Sequence, residues 1–119
     1  MYSQMVREHF ANPRNVGELE NPDAVGRAKN EVDGDQVQLH LKIEDDRISD
    51  VKMKVMGCVA AIASTSFLTE MIKGKTIEES RQITKEILTE QLGGLPEHKI
   101  RCSLTCIDAL QEALGKTGE

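Results

Sequence analysis

The sequence predicts a single α+β domain in which an antiparallel sheet comes first and helices follow. Two segments, 36–43 and 48–56, alternate apolar and polar residues with a period of two, which is typical of half-buried strands. After Gly57 the apolar residues change to helical spacing, which continues with short breaks to about residue 114. The 119 residues suffice for one hydrophobic core, so we expect one domain over residues 1–119.

The strands and the helix before them can be placed in order. We expect a short amphipathic helix within residues 2–11, ended by Pro13, because proline disfavours helix at the residue before it. Residues 24–32 are a weaker candidate strand, since Gly26 interrupts them. The polar turn 44–47 joins the next two strands, and three sequential strands with short connections suggest an antiparallel meander.

Helices are expected to follow the sheet. The first runs from Cys58 to about Lys73, and Gly74 is a typical stop. Residues 76–79, Thr-Ile-Glu-Glu, resemble a capping box that opens a second helical piece. A third helix is expected from about Thr84 to the glycine pair that starts at Gly93.

The last helix follows a loop, 95–99, that we expect to be extended. It starts near Cys102 or Ser103, and residues 115–119 are expected to be frayed. Its inward face is predicted to carry Leu104, Ile107, Leu110 and Leu114.

Composition excludes several classes of function. The net charge is −5 and the basic residues are dispersed, which argues against nucleic acid as a partner. No apolar run is long enough to span a membrane, and the polar start of the chain does not resemble a signal peptide. We therefore expect a cytoplasmic protein, in which cysteines serve as ligands, nucleophiles or core residues before they form disulfides.

The three cysteines are the candidates for chemistry. Cys58 lies between a strand end and a helix start, where free N–H groups favour negative charge. Cys102 and Cys106 are four residues apart and share one helix face. If the two helix starts lie at the same end of the sheet, the thiols converge, and Asp33 or Asp35 could add a carboxylate. Such a set suits zinc or the iron of an iron–sulfur cluster.

Simpler interpretations remain open at this point. The chain has no Cys-x-x-Cys pair, and free cysteines often serve as small buried hydrophobic residues. Aspartates at positions 33 and 35 are frequent turn formers. His9, His40 and His98 are predicted to face solvent rather than a metal.

Several segments together resemble the IscU/NifU-type iron–sulfur cluster scaffold proteins. The resemblance covers nearly the whole chain and includes Glu70, Lys73-Gly74-Lys75 and Leu95-Pro96. The segments that carry it are Tyr2-Ser3, 9–17 (His-Phe-Ala-Asn-Pro-Arg-Asn-Val-Gly), Gly34-Asp35, 56–58 (Met-Gly-Cys) with 61–64 (Ala-Ile-Ala-Ser), and 99–103 (Lys-Ile-Arg-Cys-Ser).

The resemblance implies a fold and a function. It implies a compact domain of three antiparallel strands with helices packed on it and ligands at one exposed end. It also implies a scaffold, not an enzyme, on which a 2Fe–2S or 4Fe–4S cluster is built with sulfur from an IscS/NifS-like cysteine desulfurase. The cluster would then pass to recipient apo-proteins. The cluster-free form could hold zinc, and a homodimer sharing a cluster remains open.

The chain departs from the family at two ligand positions. The family normally has cysteine where this chain has Asp33, and often histidine where it has Arg101. Only Asp35, Cys58 and Cys102 carry over, and Cys106 is additional. We therefore hypothesise that Cys58, Cys102, Cys106 and either Asp33 or Asp35 hold the cluster. The alternative for Cys106 is a core thiol, and Arg101 is expected to favour the Cys102 thiolate or to lie free on the surface.

Other functions within the resemblance are a zinc-bound SufU-like sulfur acceptor and an inert paralogue. The SufU branch has an insertion before its last cysteine, whereas the segment 75–100 is short here, which favours the scaffold. The retained Cys58 and Cys102 and the added Cys106 argue against an inert protein. Bacterial scaffolds carry a chaperone-recognition motif that begins Leu-Pro-Pro, and Glu97 replaces its second proline, so a dedicated chaperone is not expected.

Overall fold

Three strands form one antiparallel sheet in the computed structural model, which describes residues 2–115. They lie in the order β1 (Ala24–Lys29), β2 (Gln36–Glu44) and β3 (Arg47–Met56). The β2–β3 hairpin turns at Asp45 and Asp46, both with positive φ, as a two-residue hairpin loop requires. The alternating pattern in the sequence therefore predicted β2 and β3 to within a residue or two, and the α+β class is confirmed.

The helices flank and follow this sheet. They are α1 (Gln4–Ala11), α2 (Val59–Ile72), α3 (Ile77–Arg81), α4 (Lys85–Gln91) and α5 (Ile100–Leu114), with a 3₁₀ turn at Glu97–Lys99. The predicted capping box is present: the Glu79 N–H donates to Thr76 Oγ1, and the Thr76 N–H donates to the Glu79 carboxylate. Among the residues described, no helix is both long and apolar enough to cross a membrane.

Helix α5 packs directly on β1, and Gly26 makes this approach possible. A Cβ atom at position 26 would lie 2.0 Å from the Ala109 carbonyl oxygen and 2.6 Å from the Ala113 nitrogen. Any side chain would therefore push the last helix off the sheet. Gly26, which weakened the strand prediction, is therefore the residue that allows α5 to pack closely on β1.

Three boundary predictions were wrong in detail. Strand β1 ends at Lys29 instead of residue 32, because the Asn30 side chain accepts hydrogen bonds from the N–H groups of Val32 and Asp33 and turns the chain. The loop 95–99 is not fully extended, since its last residues form the 3₁₀ turn that leads into α5.

Helix α5 therefore begins earlier than predicted, at Ile100. Leu104 is 38% exposed instead of inward, because it lies across the helix from Cys102 and Cys106. Ile107, Leu110 and Leu114 are buried as predicted. The prediction of fraying covers residues 115–119, of which 116–119 lie outside the described range.

The prediction that the histidines face solvent was correct only for His98. His9 is buried, with Nδ1 2.8 Å from Ser66 Oγ on α2. His40 is also buried, because the chain at Leu19 crosses the outer face of the sheet and donates its N–H to His40 Nδ1. Coverage by a distant segment cannot be read from the alternation of one strand.

Candidate metal centre

The site begins where β3 ends and α2 starts. Cys58 is the N-cap residue of α2 and has extended backbone angles. Its backbone N–H donates a hydrogen bond to Asp35 Oδ1 over 3.1 Å. A carboxylate therefore satisfies one of the free donors at this junction, and the predicted position of Cys58 is confirmed.

Asp35 comes from the connection between β1 and β2 and is fully buried. Its Oδ2 lies 4.0 Å from Cys58 Sγ. A Cβ atom at Gly57 would stand only 2.4 Å from Asp35 Oδ1. Glycine at position 57 thus leaves the space that the carboxylate occupies.

Cys102 joins the group from the first turn of α5. It is buried, and its Sγ lies 3.6 Å from Cys58 Sγ. One ligand atom each from Asp35, Cys58 and Cys102 all lie within 4.8 Å of one another. Zinc–sulfur bonds of about 2.3 Å at a tetrahedral angle place two sulfurs about 3.8 Å apart. The arrangement therefore fits a metal ion that prefers thiolate ligands.

Cys106 lies outside this group of three. It is fully buried one turn farther along α5, where its thiol donates to the Ser103 carbonyl oxygen over 3.2 Å and approaches Ser64 Oγ at 3.9 Å. Burial raises the pKa of Cys106 to about 12. The structure does not bring Cys106 to the other candidate ligands, and its surroundings are those of a core thiol.

Asp33 lies beside the group but is already paired. Its carboxylate accepts hydrogen bonds from Arg101 Nε at 2.7 Å and Asn30 Nδ2 at 3.0 Å, and Lys99 Nζ lies 3.7 Å away. The hydrogen bond from Arg101 lowers the pKa of Asp33. Asp33 Oδ2 also lies 3.7 Å from Cys102 Sγ. Asp33 is thus an ionised neighbour of the three ligands, held by two cations.

Arg101 neither lies free on the surface nor decides the pKa of Cys102. The Arg101 guanidinium is directed to Asp33, and the pKa of Cys102 is raised. Burial is the main cause, followed by the neighbouring Asp35 carboxylate and Cys58 thiol. Cys102 is therefore a sheltered thiol that favours its protonated form when no cation is bound.

Sequence reasoning missed Asn30 and Lys99. Asn30 organises the connection that carries Asp33 and Asp35, and an Asx turn after a strand is the signal that could have indicated it. The electrostatic influence of the nearby Cys58 side chain is the main cause that raises the pKa of Lys99, and Asp33 adds to it. Lys99 could not be placed because its segment was predicted to be an extended loop.

The fold and the site define a class of protein: a small α+β domain with two thiols and a buried carboxylate at one end of a three-stranded sheet. Residues 1–117 match the family model described as the NifU-like N terminal domain. The chain belongs to this family.

Two relatives and one solved structure agree with the assignment. An Archaeoglobus fulgidus protein named iron–sulfur cluster assembly scaffold protein IscU 1 is 51% identical over 114 residues, covering 96% of this chain and 74% of the relative. The Aquifex aeolicus scaffold protein IscU is 44% identical, covering 95% and 73%. A crystal structure from Fervidobacterium islandicum, assigned as a scaffold protein for the SUF system, has a TM-score of 0.78 at 28% identity, covering 95% and 96%.

Proposed function

We propose that this chain is a scaffold for iron–sulfur cluster assembly, a protein that binds and passes on its cargo without catalysing a reaction. The observation that carries the proposal is the convergence of Asp35, Cys58 and Cys102 within 4.8 Å in a member of the NifU-like family. Thiolates bind iron strongly, and a carboxylate oxygen is a harder and more labile ligand. One oxygen ligand among the sulfurs suits a cluster that must leave.

The proposed partners follow from what the site lacks. A 2Fe–2S or 4Fe–4S cluster usually has four protein ligands, and this site offers three. The fourth would come from a second copy of the chain or from a partner protein. We propose that a cysteine desulfurase supplies sulfur, that apo-proteins receive the cluster, and that this occurs in the cytoplasm, where thiols remain reduced.

Anaerobic reconstitution with ferrous iron and sulfide tests the proposal. Wild-type protein is expected to develop visible sulfide-to-iron absorption with matching amounts of iron and acid-labile sulfide. Cys58→Ser and Cys102→Ser should lose most of this absorption, and Asp35→Ala should load less cluster or release it faster. Cys106→Ala is the matched control and should load like the wild type.

Other outcomes would point elsewhere. Colourless protein that purifies with one zinc ion per chain, and that takes up sulfur without iron, would favour the zinc-bound sulfur acceptor. Protein that binds neither metal nor cluster would contradict both functions. Equal loading of Cys58→Ser and the wild type would show that the cluster binds somewhere else.

A further inference from the structure

We propose that Asp33 is a positioning residue, not a ligand, and that its ion pair with Arg101 forms a latch over Cys102. The latch makes Cys58 the first thiol that an incoming reagent or donor reaches, and Cys102 the second. The functional meaning of this order of reaction rests on the proposed scaffold function. The latch itself is a property of the protein and can be tested without a cluster.

The two thiols of the site differ in their access to solvent. Cys102 is 0% exposed, whereas Cys58 is only partly buried. Their sulfur atoms nevertheless lie 3.6 Å apart. The difference in access therefore arises from what surrounds Cys102, which is Ala60 and Ala61 of α2 together with the Asp33 carboxylate.

The latch spans two elements of the fold. Asp33 belongs to the β1–β2 connection, and Arg101 belongs to the first turn of α5. The guanidinium donates through Nε at 2.7 Å and through Nη2 at 3.4 Å, which is a two-pronged contact. Asp33 Oδ2, which accepts the shorter of these bonds, is also the atom 3.7 Å from Cys102 Sγ. The guanidinium thus holds the same carboxylate oxygen that lies against the thiol.

Of the two residues of the latch, Asp33 is held firmly and Arg101 is held weakly. Asn30 fixes the Asp33 carboxylate within its own turn. The Arg101 side chain is 41% exposed, and exposed ion pairs stabilise only slightly and are screened by salt. An anionic group of a partner could therefore compete for Arg101 and open access to Cys102.

Alkylation of the full-length protein by iodoacetamide tests the latch, with the initial rate at each cysteine read by mass spectrometry. Wild-type Cys58 should react much faster than Cys102. Asp33→Asn and Arg101→Gln should each accelerate Cys102 by about fivefold, the most that an exposed ion pair is expected to contribute. High salt should accelerate Cys102 in the wild type and have little effect in either variant.

The two variants separate a latch from a charge effect on the thiol. Loss of the Asp33 charge alone would favour the thiolate and speed alkylation, whereas loss of the Arg101 charge would slow it. The latch predicts acceleration in both, no further gain in the double variant, and only partial recovery of protection in Arg101→Lys, whose ammonium cannot form the two-pronged contact. Lys73→Gln, which removes an ion pair with Asp50 elsewhere, is the matched control.

Three results would overturn the proposal: slower or unchanged alkylation of Cys102 in Arg101→Gln, no effect of salt on the wild type, or a parallel rise at Cys106. Cys106 reports general opening, because it is fully buried and outside the site. Failure of the latch would leave the reconstitution experiment unaffected. The two proposals can therefore fail separately.

Discussion

At the scale of single residues, Asp35 contacts both the backbone and the thiol of Cys58. One carboxylate oxygen accepts the Cys58 N–H and the other faces the Cys58 thiol. The carboxylate can lie there only because position 57 has no side chain. A residue that never touches a metal thus decides whether the ligand set can form.

Replacing Gly57 by alanine should weaken metal binding. The added Cβ would meet Asp35 Oδ1 at 2.4 Å and displace the carboxylate. We expect at least a tenfold loss of affinity, about the effect of removing an outer-shell partner, in a titration with Co²⁺ or Zn²⁺. Gly115→Ala is the control, since its Cβ would meet no atom closer than 3.4 Å. Equal affinities in the two variants would contradict this role of Gly57.

Replacing Cys106 by alanine should reduce stability and leave metal binding intact. The change removes a fully buried sulfur and leaves a small cavity, for which we expect a loss of about 1 kcal/mol in the free energy of unfolding. Urea denaturation measures the loss, and metal titration checks the site. A clear drop in affinity would instead restore Cys106 as a ligand.

At the scale of elements, local patterns were predictable and the contacts between distant elements were not. Strands β2 and β3 alternate in sequence because each buries one face, and Cys58 is marked by a strand end next to a helix start. The face of α5 that reaches the site depends on how Ala109 meets Gly26 on β1. For that reason Cys102 could be predicted at the site from sequence, but Cys106 could not be excluded from it.

Asp33, in a turn, is a second residue whose distant contact could not be predicted from local sequence. Its position before Gly34 and Asp35 suggested a ligand, and nothing local indicated that Arg101, 68 residues away, would pair with it. The charge state of a group depends on partners that only the tertiary structure supplies. The convergence of Asp35, Cys58 and Cys102 was therefore predictable from sequence, while the exclusion of Cys106 and the roles of the charged neighbours were not.

The packing of α1 on α2 should depend on pH through His9. Burial is the main cause that lowers the pKa of His9 from 6.5, and Arg14 adds to it. The folded protein therefore favours neutral His9. Its contribution to stability is complete above the unfolded pKa and is lost as the pH falls through that value towards the folded pKa.

Unfolding measured from pH 8 to pH 5 checks this dependence. Wild-type protein should lose stability on acidification, and His9→Gln should lose less. The exposed His98 provides the control, since His98→Gln should follow the wild-type profile. A His9→Gln profile parallel to the wild type would contradict the assignment.

At the scale of the whole molecule, the site joins parts of the chain that are far apart in sequence. The three candidate ligands come from the β1–β2 connection, the β3–α2 junction and the start of α5. A metal ion bound to all three would hold the sheet, α2 and α5 together. Binding energy at such a site becomes folding energy.

Metal should therefore raise the stability of the entire domain. With free Zn²⁺ at about 100 times its dissociation constant, linkage predicts about 2.7 kcal/mol of added stability. Thermal unfolding with and without a chelator measures this shift. Cys102→Ser should show little of it at the same zinc concentration, and Cys106→Ala should show all of it. Equal shifts in the wild type and Cys102→Ser would mean that zinc binds elsewhere.

The packing of α5 against β1 has a consequence for the newborn protein on the ribosome. Cys102 is made 44 residues after Cys58, a delay of about 2 to 9 seconds at ordinary rates of translation. Throughout that interval β1 lacks its covering helix, and Cys58 has no second thiol beside it. Until α5 is made, only two of the three candidate ligands are present, so we expect the chain to bind metal tightly only after this helix completes the core.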